Sequence, residues 1–171
     1  MIYNSMRRGN QAKLNGLWNL RCASAILDPK LLHYLVEHGI YINQCYSMTE
    51  LAGYGLLNVA QEGEHLRALG KPDGFCEVKL DETGEICVRG GAVMMGYYKD
   101  PEATAEAIDK DGWLHSGDLA RVDEEGFYYI PGRKKNRIIL DSGENVSPEE
   151  LEKLLGQCAA IIECIVTSMR K

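Results

Sequence analysis

The 171-residue chain has no excess of basic charge, no long apolar run and no paired-cysteine motif. Lys and Arg number 19 against 25 Asp and Glu, for a formal net charge of -6. Binding a nucleic-acid backbone calls for a positive face, so a general nucleic-acid binder is excluded as a class. A nucleotide site is not excluded, because a few local cations, a metal and backbone N–H groups suffice. Nowhere do the roughly 20 apolar residues of a transmembrane segment occur in succession. The start carries Arg7 and Arg8 with no apolar stretch behind them, unlike a secretory signal. The six cysteines are scattered among apolar neighbours without a C-x-x-C pair, which argues against a disulfide framework or a zinc site. Reduced, mostly buried thiols and a cytoplasmic location are expected. Internal repeats and low-complexity tracts are also missing. What remains is 45% hydrophobic and 26% charged, the balance of a globular chain able to bury a core.

Three units follow one another. In residues 1–70, Leu17 to Ile26 reads as an apolar strand end, and Asp28-Pro29 as a cap with proline at the first helical position. Leu31, Leu32 and Leu35 share one face of the helix that Gly39 ends. Ile40 to Tyr46 has strand length, and Ser47-Met48-Thr49-Glu50 follows as a polar turn. This grammar suits an α/β sheet whose ligands sit at the carboxyl ends of strands. In residues 71–132, two strand–turn–strand pairs are predicted. Glu77–Leu80 joins Glu85–Arg89 through Asp81-Glu82-Thr83-Gly84, and Leu119–Val122 joins Phe127–Ile130 through Asp123-Glu124-Glu125-Gly126. Asp100-Pro101 caps a short helix between them, reaching Ile108. In residues 133–171, a basic link precedes a strand at Ile138–Leu140 and a turn at Asp141–Glu144. A capping box at Ser147–Glu150 then opens a helix with Leu151, Leu154 and Leu155 facing inward, and a strand is expected at Ile161–Val166. Fewer than about 40 residues are too few to bury a core unaided, so this unit should be incomplete or pack on something.

Four segments bear on chemistry. The first, Gln44 to Glu50, is either a capped helix start or a hydroxyl and a carboxylate placed for a phosphate oxygen and Mg²⁺. Gly84 to Tyr98 reads as structural, with Met94 and Met95 as core filler. Asp118, after Gly117, is either a turn cap or an acceptor for both ribose hydroxyls. His115, alone beside it, is given no catalytic role. The run Arg133-Lys134-Lys135-Asn136-Arg137 is either a solvated face or a junction at which Arg133 reaches a ribose or phosphate and Lys135 is a pivot.

Taken in order, YSMTE, GEICVRGGAVMMGYYKDPEATAEA, GWLHSGDL and GRKKNRIILDSGENVSPEELE closely resemble the adenylate-forming superfamily of acyl-CoA synthetases, adenylation domains and luciferases. The resemblance runs from about Leu20 to Leu155 and is most like the fatty-acyl-CoA ligases. It implies a mixed α+β fold: the C-terminal part of the large domain, as sheet plus helix and then a small antiparallel β subdomain, followed by the start of the small C-terminal lid domain. It implies ATP and AMP, Mg²⁺, coenzyme A and a small-molecule carboxylic acid as ligands. By the same resemblance Thr49 contacts the AMP phosphate and Glu50 holds Mg²⁺, the two being the catalytic pair. Tyr46 lies against adenine, Asp118 binds the ribose with Arg133 assisting, Lys135 is the hinge, and Gly143 lies near the thiol tunnel. Ala23-Ser24-Ala25 stands where the family usually has Gly-Gly-Ala.

Two family features have no counterpart here: the phosphate loop ending in Pro-Lys-Gly, and the lysine that activates the carboxylate. A chain without them is expected to be inactive alone, since one lost donor of that kind costs on the order of 3 kcal/mol of transition-state stabilisation. Self-association through open sheet edges is expected as well. The alternatives are an adenylation domain loading a carrier protein, and a non-catalytic nucleotide-binding remnant.

Overall fold

The computed structural model describes residues 20–23, 27–60, 63–136, 138–140, 145–158, 160–161 and 163–168. The first sheet has the order β1-β2-β3-β4. It comprises β1 (Leu20–Cys22), β2 (Ile42–Tyr46), β3 (Leu56–Asn58) and β4 (Lys71–Pro72). β1 and β2 are parallel and joined by helix α1 (Pro29–Glu37), while β3 and β4 add antiparallel. The Asp28 carboxylate accepts from the Lys30 N–H at 2.7 Å, meeting one of the unpaired donors of the first turn. Leu32 and Leu35 are buried, but Leu31 is only half-buried, so the inner face of α1 is narrower than predicted.

Two buried amides brace this sheet. Gln44 donates to Leu66 O at 2.6 Å and accepts from Leu27 N at 3.2 Å. Asn58 donates to His65 O and Ala68 O and accepts from Ala60 N. A primary amide has two donors and two acceptor sites, so burial is tolerated when they are used. Both therefore hold the 3₁₀ turn Glu64–Arg67 against the strands.

The second sheet is an antiparallel meander of β5 (Cys76–Leu80), β6 (Glu85–Gly90), β7 (Leu114–Val122) and β8 (Tyr128–Arg133). The last two strands are longer than predicted, and Arg133 is the final residue of β8 rather than part of a link. Helix α2 (Pro101–Ala107) is capped by Asp100, which accepts from Ala103 N. Three Asp-x-x-Gly turns share one chemistry. Asp81, Asp109 and Asp123 each accept two backbone N–H bonds within four residues, and Gly84, Gly112 and Gly126 each donate back to the aspartate carbonyl at 3.0 Å. The glycines sit at φ near +80°, where a side chain is disfavoured.

A clip joins the sheets: Leu69 N donates to Tyr128 O at 2.8 Å and Tyr128 N to Gly70 O at 2.9 Å. A Cβ at Gly70, whose φ is +112°, would lie 2.1 Å from the Leu57 carbonyl, so this approach requires glycine. One buried cluster draws on both sheets, with Leu51, Leu56 and Leu69 from one side and Ile86, Val88, Leu114 and Tyr128 from the other.

Beyond β8 come a 3₁₀ turn (Lys134–Asn136), a two-residue ladder of β9 (Ile138–Ile139) with β10 (Asn145–Val146), and helix α3 (Pro148–Leu155). Leu151, Leu154 and Leu155 are exposed by 39%, 62% and 45%, which corrects the inward face predicted for them. No strand forms at Ile161–Val166 among the described residues. Instead the Val166 N–H and the Cys164 thiol each bond Glu152, so the segment spends its polar groups on α3. Met95, predicted as filler, is fully exposed, whereas Met94 packs on the core.

Candidate functional site

The site is built where β2 ends beside the β7–β8 ladder. Tyr46 is the last residue of β2, and its phenol donates to Asp118 Oδ2 at 2.8 Å across 72 positions of sequence. Asp118 lies opposite Arg133 in the β7–β8 register, and Arg133 Nε forms an ion pair with Asp118 Oδ1 at 3.2 Å. The carboxylate side chain is 12% exposed and the arginine 72%. Burial, then the charge of Asp118, pushes the Tyr46 hydroxyl far above its ordinary range, against the opposing Ser116 hydrogen bond. It therefore stays protonated and donating. Oδ2 accepts from Tyr46 and Oδ1 is ion-paired with Arg133, so each oxygen keeps acceptor capacity for a further donor. That pair of acceptors fits the two O–H donors of vicinal ribose hydroxyls.

Immediately after β2, the 3₁₀ turn Thr49–Leu51 is fixed by fully buried Leu51 and closed by Ala52 in the left-handed region. The turn leaves Thr49 exposed and Glu50 half-buried. The Glu50 carbonyl accepts from Met94 N, and its Oε1 accepts from the Tyr97 phenol, both at 2.8 Å. Its Oε2 has no hydrogen-bond or ion-pair partner among the described residues. A free, hard carboxylate oxygen fits Mg²⁺, which takes one or two carboxylates alongside substrate phosphates. Tyr97 was not singled out from the sequence, because a tyrosine in a Gly-rich loop carries no signal for a partner 47 positions away.

Glu85 was missed as well. It is 4% exposed, accepts from Gly117 N at 2.7 Å through Oε1 and from Lys134 Nζ at 2.7 Å through Oε2. Burial raises its pKa, but the Lys134 and Gly117 hydrogen bonds outweigh that, and the carboxyl titrates below its usual range. Glu85 thus holds the turn that presents Asp118, and pins the residue after Arg133. The available signal was an acidic residue opening the apolar run Ile86-Cys87-Val88. Lys135 lies in the 3₁₀ turn Lys134–Asn136, and Gly143 lies outside the described residues.

Nearby, ligand atoms of Asp81, Cys87 and His115 lie within 4.8 Å of one another. Burial, then Asp81 and Glu85, pushes the Cys87 thiol up to about 11, so it is protonated at neutral pH. Lys134 already supplies a cation here, and the cluster reads as a structural charge network.

The model of the AMP-binding enzyme family matches residues 1–98, and the chain belongs to that family. Its mixed α+β fold is that of adenylate-forming enzymes. Among curated relatives, a feruloyl-CoA synthase of an Amycolatopsis species is 38% identical over 170 residues, covering 93% of this chain and 34% of the relative. A long-chain-fatty-acid–CoA ligase of Salmonella typhimurium is 41% identical, covering 73% of this chain and 24% of the relative. Among solved structures, the o-succinylbenzoate CoA synthetase of Bacillus subtilis with its acyl-adenylate intermediate superposes with a TM-score of 0.82 at 30% identity, covering 90% of this chain and 34% of that one. The same enzyme with ATP and magnesium gives 0.77 at 28% identity, covering 95% and 40%. The chain spans about a third of the length of the relatives it matches first. No helix among the described residues is long and apolar enough to cross a membrane.

Proposed function

We propose that the intact protein joins a carboxylic acid, favoured as a fatty acid, to coenzyme A at the expense of ATP. In the first step a carboxylate oxygen attacks the α-phosphorus. The bond to the β-phosphate breaks, leaving acyl-adenylate and pyrophosphate. In the second, the thiolate of coenzyme A attacks the acyl carbon, forming a thioester and expelling AMP. The observation that carries this reading is the convergence of Tyr46 and Arg133 on the Asp118 carboxylate, one by a hydrogen bond and the other by an ion pair. Glu50 stands one turn beyond it. Such chemistry relies on positioning and charge neutralisation rather than on a protein nucleophile.

Within this reading Asp118 accepts from the ribose hydroxyls while Arg133 gives way to, or also bonds, the nucleotide. An ion pair as exposed as Arg133–Asp118 is worth about 0–1 kcal/mol, so displacing it is cheap. Tyr46 flanks adenine, Thr49 bonds the α-phosphate, and Glu50 with Thr49 forms the catalytic pair. Mg²⁺, when held by Glu50, neutralises phosphate charge. Residues 133–171 form the beginning of a lid that pivots at Lys135 and brings Gly143 to the thiol tunnel. The preference for a fatty acid rests on the fatty-acyl-CoA-ligase character of the GWLHSGDL and GRKKNRIIL segments and on the Salmonella relative. The test is acid-dependent exchange of labelled pyrophosphate into ATP by the intact protein across fatty and aromatic acids. Exchange with none of them overturns the reading.

A further inference from the structure

The loop from Met94 to Asp100 grips Glu50 twice, at its carbonyl through Met94 N and at Oε1 through the Tyr97 phenol. The loop is itself built around Tyr97. Thr104 Oγ1, on α2, accepts from Tyr97 N at 2.9 Å while donating to Asp100 O at 2.7 Å, and Asp100 N donates to Tyr97 O at 3.2 Å. Gly96 sits at φ +143°, and a Cβ there would lie 2.7 Å from the Thr104 methyl, so the loop packs on α2 without room for a side chain. The cap of α2 therefore fixes the Tyr97 backbone, and the Tyr97 side chain fixes the carboxylate. This construction serves a half-exposed glutamate that no cation of the described residues pairs with.

We propose that Tyr97 is a positioning residue for Glu50, setting the carboxylate rotamer so that Oε2 is presented to a divalent cation. The inference rests on the proposed role of Glu50 and deepens it. A free glutamate would have to lose its side-chain freedom when the cation binds, whereas the Tyr97 bond has already removed it. Groups that bond a metal-binding carboxylate orient it, and their loss typically weakens metal binding at least tenfold.

The experiment is a Mn²⁺ titration of the full chain in the presence of ATP, followed by electron paramagnetic resonance. Glu50→Gln, Tyr97→Phe, Thr104→Val and the double variant Glu50→Gln/Tyr97→Phe are compared. Tyr97→Phe is expected to weaken Mn²⁺ binding about tenfold, Thr104→Val in the same direction, and Tyr97→Phe to add nothing in the Glu50→Gln background. Tyr97 is exposed, so an unchanged thermal midpoint checks that Tyr97→Phe is folded. Weakening by Glu50→Gln with unchanged or tighter binding by Tyr97→Phe overturns the positioning role and leaves the proposed function standing. Additive losses in the double variant overturn it too. Wild-type-like binding by Glu50→Gln, or no Mn²⁺ binding by the wild-type chain, removes the role of Glu50 and this inference with it.

Discussion

Asp118 and Arg133 face each other across the β7–β8 ladder, with the arginine Nε 3.2 Å from Oδ1 and the Tyr46 phenol on the other oxygen. The carboxylate side chain is only 12% exposed, yet the arginine stays mostly in solvent. Affinity for a ribose should therefore depend far more on the aspartate than on the arginine.

Asp118→Asn is expected to weaken AMP binding about 10- to 100-fold, since each hydrogen bond to a charged acceptor contributes roughly 1.5–3 kcal/mol. Arg133→Ala should change it less, in line with a contact worth under about 1 kcal/mol. Calorimetric titration with AMP decides this. Equal effects from the two variants would contradict the assignment.

Glu85 makes a different prediction, about stability. Its folded pKa is depressed, so the stabilisation it gives is present above the unfolded value of about 4.3 and is lost as pH falls through the folded value. Lys134 is raised by its bond to Glu85, so its share is present below about 10.4 and is lost as pH rises through the folded value. Because Lys134 is 45% exposed, its contribution is discounted for solvent screening. Glu85→Gln is expected to cost about 1–3 kcal/mol at pH 7, less at pH 4, in urea denaturation. A loss independent of pH would count against the charge pair.

Tyr97 offers a spectroscopic check. The hydrogen bond to Glu50 raises its phenol pKa above the ordinary value. Difference titration of near-ultraviolet absorbance between wild type and Tyr97→Phe should show this ionisation moving to lower pH when Glu50→Gln is introduced. No movement would mean that the bond is not formed in solution.

Gly70→Ala should destabilise severely, by at least about 3 kcal/mol, because the new Cβ meets the Leu57 carbonyl and φ is positive. Gly126→Ala has open space around it and carries only the φ penalty, about 1 kcal/mol. Thermal denaturation of the two variants compares steric conflict with conformational cost. Similar midpoints would remove the clip between the sheets as an explanation.

Local chemistry was legible in the sequence. The Asp28-Pro29 and Asp100-Pro101 caps and the turns at Asp81 and Asp123 depend on atoms a few residues apart, and side-chain type decides them. The Tyr46–Asp118 and Glu50–Tyr97 bonds span 72 and 47 positions, and no local pattern encodes them. Resemblance, rather than periodicity, suggested that Tyr46, Asp118 and Arg133 act together, and the fold does bring these three side chains into contact. Glu85 escaped because a buried carboxylate breaks the alternation by which a strand is read. The α3 leucines satisfied a helical pattern that says which residues share a face but not what covers it.

Asp81, Asp109 and Asp123 all titrate below the ordinary aspartate range. For Asp109 the leading cause is the Trp113 N–H bond; for Asp81 and Asp123, backbone bonds overcome the opposing effect of burial. Their stabilisation is present above about pH 3.9 and disappears as acid protonates them through their depressed values. Acid should therefore release the hairpin ends as a group while the leucine-lined interior still holds, so that the molecule frays at its rim before it comes apart.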